Sequence, residues 1–204
     1  MKSSGIKTST VLASFLLAAC LSMHAEVKLP AIFSDGMVMQ QQTNANLWGM
    51  ATPNKKVTVT TGWNGKQYAV TADKNGSWKL SVSTPEAGGP YTITFDDGTP
   101  KTLNNILIGE LWLCSGQSNM EMPMKGFKNQ PVENANMDIL RSKNPHIRLF
   151  TVKRTSTITP QNDVVGSWKE AAPVSVRDFS ATAYYFGRLV NDCLLYTSDA
   201  ADEL

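Results

Sequence analysis

The sequence is poor in the residue types that announce a metal site, a disulfide framework or a membrane span. It has three cysteines in 204 residues, and none sits in a C-x-x-C pair. A stapled mini-fold and a thiolate metal site are therefore both excluded as organising principles. Histidine is scarcer still, with only His24 and His146, which leaves little material for imidazole chemistry. No apolar run approaches the roughly 20 residues a bilayer span needs. There is no Gly-rich phosphate loop, no internal repeat and no low-complexity tract. Charge is low and balanced: charged residues make up 18% and the formal net charge is +2. That balance supplies no electrostatic case for nucleic acid or an anionic membrane. No cofactor and no metal is expected.

What is present begins with an export signal. Lys2 and Lys7 supply a positive start, and residues 11–19 form an apolar run too short to span a membrane. Removing residues 1–25 would leave 17 charges of each sign. Two cleavage readings stand side by side. Cutting after Ala25 releases a soluble chain, whereas Leu17-Ala18-Ala19-Cys20 is similar to a bacterial lipobox that would make Cys20 a lipid anchor. Either way the protein is expected outside the cytoplasm, periplasmic or extracellular. At the other end, Cys193 to Asp202 back-translates into a string resembling the end of a transposon adapter. Residues 193–204 are therefore expected to be a non-native tail.

Residues 26–103 read as an antiparallel β-sandwich. Val57-Thr58-Val59-Thr60 and Trp78-Lys79-Leu80-Ser81-Val82 alternate as half-buried strands do. Asn64-Gly65 and Asp73-Lys74-Asn75-Gly76 are turn chemistry between them. The texture changes at Asn104. Residues 106–114 are mostly apolar, as expected of a strand buried on both faces, with Cys114 a small core residue. Val132, Ala135, Ile139 and Leu140 recur at helical spacing, with Pro131 suited to the first turn. Residues 147–152 read as a second strand and 179–190 as a second helix. Strand, helix, strand, helix implies the start of an α/β domain with a parallel sheet over 104–192.

The chemistry concentrates in Cys114-Ser115-Gly116-Gln117-Ser118-Asn119-Met120-Glu121, directly after the first of those strands. A serine in a turn beyond a strand's carboxyl end can present its hydroxyl to substrate. The amides of such a turn can face an oxyanion. Glycine, serine and asparagine after a strand are equally the composition of an ordinary turn.

Gly116-Gln117-Ser118-Asn119-Met120 resembles the first signature block of the SGNH-type carbohydrate esterases. The run from Leu29 to Gln40, Leu-Pro-Ala-Ile-Phe-Ser-Asp-Gly-Met-Val-Met-Gln, is similar to the opening of the sialate O-acetylesterases. Pro145-His146-Ile147-Arg148-Leu149-Phe150 and Phe179-Ser180-Ala181-Thr182-Ala183-Tyr184-Tyr185-Phe186-Gly187 resemble later segments of the same family. The resemblance implies an incomplete three-layer α/β, SGNH-hydrolase-like domain following the sandwich. It implies Ser118 as nucleophile and backbone oxyanion donor, Gln117 and Asn119 as substrate-binding neighbours, and an O-acetylated glycan as substrate. The family's Asp-x-x-His base has no counterpart in these 204 residues. His146 reads better as a capping or surface residue. Losing the histidine of a serine–histidine site costs about 10⁶ in turnover, so the chain as given is expected to be inactive. The rival is an exported carbohydrate-binding or surface lipoprotein with a vestigial hydrolase domain. Trp48, Trp63 and Trp78 allow a sugar-stacking surface, although core packing is the commoner use of tryptophan. Glu121 is placed to favour the start of a helix.

Overall fold

A computed structural model describes residues 26–199. The expected export segment at 1–25, with both cleavage readings at Ala25 and Cys20, lies outside the described residues, as do residues 200–204 of the expected tail. Seven strands come first: β1 (Val38–Gln40), β2 (Asn44–Met50), β3 (Lys56–Thr61), β4 (Gln67–Thr71), β5 (Ser77–Ser83), β6 (Gly88–Asp96) and β7 (Pro100–Gly109). They are followed by α1 (Ser118–Glu121), α2 (Ala135–Leu140), β8 (Asn144–Phe150), β9 (Trp168–Ala171), α3 (Pro173–Val176) and α4 (Ala181–Asp199).

The main sheet is mixed and curls into a half barrel. Its order is β1-β7-β6-β3-β4, with β1 parallel to β7 and the remaining neighbours antiparallel. β2 and β5 form a separate antiparallel ribbon. Both pieces turn their apolar positions to one core. Val57 and Val59 from β3, Ile93 and Phe95 from β6, and Leu47 and Val82 from the ribbon are fully buried. Each such side chain contributes about 1.5–3 kcal/mol on leaving water.

Local turn chemistry explains the connections. The β3–β4 hairpin turns through Asn64, whose Oδ1 accepts from Lys66 N–H (3.0 Å) and the buried Thr61 hydroxyl (2.7 Å). Between β4 and β5, Asp73 Oδ1 accepts from the N–H groups of Asn75 and Ser77, both at 2.8 Å. The same turn needs glycine at position 76. Its φ is +84°, and an added Cβ would lie 2.4 Å from the Ala51 carbonyl oxygen.

Three expectations are corrected. The strand anticipated at 106–114 is the second half of β7, which begins at Pro100 and ends at Gly109. Leu103, Ile106 and Ile108 point into the core. Their alternation is displaced by one because Asn105 sits at φ +58°, where the β6–β7 ladder is irregular. Residues 110–117 then run outside regular secondary structure, and Cys114 is exposed rather than buried. The strand anticipated at 147–152 exists as β8, but it pairs antiparallel with β9 and not in parallel with the earlier segment. Its burial is one-sided, with Ile147 and Leu149 inward, as suits an antiparallel pair. The first helix starts at Ala135 rather than at Pro131. Of its expected apolar face, Ala135 and Ile139 are buried while Leu140 is exposed.

A second core gathers Ile147, Leu149, Ala171, Val176, Tyr184, Ile139 and Met124. Arg148 and Trp168 tie it to the first. The Arg148 side chain, 4% exposed, pairs with Glu170 at 3.2 Å. It also donates to the Pro145 carbonyl (2.9 Å) and to Asn105 Oδ1 of β7 (3.0 Å). Trp168 Nε1 donates to the Ile32 carbonyl at 2.7 Å. No helix among the described residues is long and apolar enough to cross a membrane.

Candidate active site

The path from β7 to Ser118 is anchored at its start. Glu110 accepts hydrogen bonds from Gln41 (2.7 Å) and Gln40 (3.0 Å), which together hold its carboxyl below the ordinary range, Gln41 contributing more. Beyond it Leu111, Trp112 and Leu113 are exposed, with Leu113 at 92%. The chain then tightens at Gly116, where an added Cβ would lie 3.2 Å from Met120 Cβ. The Gln117 carbonyl accepts from the N–H groups of Met120 (2.9 Å) and Glu121 (3.1 Å), closing the single turn of α1.

Ser118 is the first residue of that turn and is exposed. Among the described residues its hydroxyl makes no hydrogen bond, and the N–H groups of Ser118 and Asn119 take no partner, as expected of a first helical turn. Gln117 and Asn119 flank it and are exposed as well. Glu121, in the same turn, pairs with Arg154 at 2.9 Å on the surface.

The residues after Ser118 are strapped down by the segment 177–182. Met124 N–H donates to the Phe179 carbonyl (2.9 Å), and Ala181 N–H donates to the Met122 carbonyl (2.8 Å). The Thr182 hydroxyl donates to the Asn119 carbonyl (3.1 Å), and the Ser180 hydroxyl reaches Met120 Sδ (3.4 Å). Two segments 60 residues apart in the chain thus become one unit. α4, which continues from this strap, is held on α2 by Asp138. That carboxylate accepts from Tyr185 Oη (2.7 Å) and Arg188 Nη1 (2.8 Å). Arg188 first, and Tyr185 second, hold Asp138 below its ordinary range. Burial, followed by the bond to Asp138, pushes Tyr185 up to about 12. Sequence reasoning missed this network and the Arg148 clamp. The one available signal was polar residues interrupting apolar segments.

His146 lies exposed at the start of β8, its own N–H donating to Asn144 Oδ1 at 2.8 Å. No histidine hydrogen-bonds to Ser118 among the described residues. Nor do these residues gather three His, Cys, Asp or Glu side chains in a way that could hold a metal ion. The three tryptophans separate. Trp78 is buried beside Phe95, Trp63 is half-buried against the first core, and Trp48 is half-buried outside that core.

No family model matches the chain. Individual relatives do. The mouse sialate O-acetylesterase is 31% identical over 202 aligned residues, covering 89% of this chain and 36% of the relative. The human sialate O-acetylesterase is 27% identical over 187 residues, covering 83% and 35%. A crystal structure of a carbohydrate acetylesterase from Xanthomonas citri superposes with a TM-score of 0.77 at 29% identity, covering 83% of this chain and 38% of that one. The chain spans about a third of the length of the curated relatives it matches. Over most of its own length, this chain is similar to curated proteins named sialate O-acetylesterase, at 27–31% identity.

Proposed function

We propose that the chain carries the nucleophile-bearing part of an exported serine esterase that removes O-acetyl groups from sialic acid or a related glycan. The observation that carries this reading is the similarity to named sialate O-acetylesterases across a stretch that includes Ser118. The exposed, unbonded hydroxyl of Ser118 is consistent with it. In this reading Ser118 Oγ attacks the acetyl carbonyl. The oxyanion forms against the unspent N–H of Ser118, with Gln117 and Asn119 contacting the sugar. The alcohol leaves, and water then hydrolyses the acetyl-serine. The architecture that goes with it is a β-sandwich that runs to the end of β7 at Gly109, followed by the opening portion of a three-layer α/β hydrolase domain.

The 204-residue chain by itself falls short of turnover in this reading. A serine hydroxyl needs a base to be nucleophilic at neutral pH, and the exposed His146 makes no hydrogen bond to Ser118 among the described residues. Hydrolysis of 4-nitrophenyl acetate by the purified chain is expected to be unaffected by Ser118→Ala. In a longer gene product carrying a downstream Asp-x-x-His block, the same substitution is expected to lower turnover by about 10⁶. Full activity of Ser118→Ala in that longer protein would eliminate the esterase assignment. Ser118-dependent turnover by the short chain would eliminate the claim that it lacks a base.

A further inference from the structure

The ribbon of β2 and β5 turns one face to the core and the other to a cleft that the esterase chemistry does not use. Along β2, Leu47 and Gly49 are buried, while Asn46 and Trp48 face outward. Across the ladder Trp48 stands opposite Lys79. One wall is the chain at Lys28, which exchanges two backbone hydrogen bonds with Met50 (2.8 and 2.9 Å). The other is a crossing loop, where the Asn162 carbonyl accepts from Trp48 Nε1 at 3.2 Å and Asp163 Oδ1 accepts from Ala31 N–H at 2.7 Å. The space between is about 650 Å³, within the range of small-molecule sites.

Trp48 is held there as a platform. Its nitrogen is tied to Asn162, and the Phe33 ring meets it edge-on with centroids 4.5 Å apart. Unlike Trp63 and Trp168, it is not packed on the hydrophobic core. The polar groups around it are unspent. The ammonium groups of Lys28 and Lys79 have no carboxylate partner among the described residues. The Ser77 hydroxyl and the second oxygen of Asp163 accept or donate nothing within the described chain.

We infer that this cleft binds a pyranose ring of a glycan, at a site separate from Ser118. A sugar ring offers an apolar C–H face to a fixed indole and hydroxyls to a rim of donors and acceptors. A purely apolar occupant would strip water from two ammonium groups and a carboxylate without replacing it. A phosphate ligand would be drawn by the lysines but repelled by Asp163. The pinned ring lowers the ordering cost of binding.

The test uses the 204-residue chain with ¹⁵N-labelled indoles. Five tryptophans give five indole signals, and Trp48→Phe identifies that of Trp48 while keeping a ring against Phe33. N-acetylneuraminic acid, N-acetylglucosamine and xylobiose are titrated to about 20 mM, beyond the millimolar Kd of a one-ring site. At least one is expected to move the Trp48 signal, with Lys79→Ala weakening that titration at least about tenfold and Trp48→Ala weakening binding as much when read by saturation transfer to the sugar protons. Lys79 is exposed and unpaired, so its removal does not threaten the fold. No movement with any of the three sugars overturns the inference, as does binding that survives both substitutions. Binding lost in Ser118→Ala but retained in Lys79→Ala would place the sugar at the esterase centre, overturning this site while supporting that one.

Discussion

Replacing Arg148 with alanine probes what joins the two cores. The guanidinium is nearly inaccessible, yet its charge partner Glu170 is half in water, at 51% exposure. Burial lowers the pKa of Arg148 and Glu170 opposes that shift. Because water solvates Glu170 once the arginine is gone, the substitution does not strand a buried charge. It therefore falls short of the 3–5 kcal/mol cost of breaking a buried pair. What is lost outright is the pair of bonds to the Pro145 carbonyl and Asn105 Oδ1, together with the packing of the aliphatic stem. Bonds made by a charged donor and stem packing place the cost at about 2–3 kcal/mol.

For a chain of this size that corresponds to a melting temperature lower by about 5–10 °C. Thermal unfolding followed by tryptophan fluorescence reads it directly, since Trp168 joins the same seam. Arg148→Lys should recover less than half of the loss, because an ammonium cannot serve three acceptors in fork geometry. Glu170→Gln should cost about 1–3 kcal/mol, because it leaves the nearly inaccessible guanidinium without its carboxylate partner while keeping one oxygen acceptor. A fall of less than about 2 °C for Arg148→Ala would show that the clamp does not couple the cores, and the reasoning would fail.

Three further outcomes follow from particular contacts. Asp138 has a folded-state pKa below its unfolded value, so the stability it contributes is present above the unfolded pKa and is lost as pH falls through the folded one. Acid unfolding of Asp138→Asn should accordingly be shallower than that of the wild type below about pH 4; parallel curves would contradict the network. Gly76→Ala should destabilise by about 1–3 kcal/mol in urea titration, because the new Cβ meets the Ala51 carbonyl in a left-handed backbone conformation. A neutral result would refute that turn geometry. In a chain carrying Cys20→Ser and Cys193→Ser, Cys114 should react with Ellman's reagent under native conditions because it is exposed. Protection until denaturation would show that residues 110–117 are covered.

The parts of the fold that could be read in advance are those decided locally. Asn64-Gly65 and Asp73 to Gly76 make their turns with side chains two to four residues away, and the alternation of Val57 and Val59 reports one buried face. What escaped depends on distant partners. The run 106–114 is apolar throughout, and composition cannot say where pairing stops. The ladder stops at Gly109 because β1 ends opposite Gly109 and β6 begins opposite Ile108, and the bulge at Asn105 hid the fact that Pro100 and Ile108 share a strand. Alternation of Ile147 and Leu149 around Arg148 was an antiparallel signature from the outset. Its partner β9 is four residues long, too short to register after an irregular stretch.

The same distinction applies to Ser118. A turn can be recognised from Gly116 to Met120, but a turn is not a site. What sets this one apart is that Asn119 and the residues after it are bolted to 177–182. That bolting gives the Thr182 hydroxyl a positional role. If the proposed esterase reading holds, Thr182→Val in a longer chain that supplies a base should lower kcat, since it frees the Asn119 carbonyl beside Ser118. Thr182→Ser should restore most of the rate by replacing the hydrogen bond. Equal loss in both variants would mean that packing of the threonine methyl, and not the bond to α1, holds Ser118 in place.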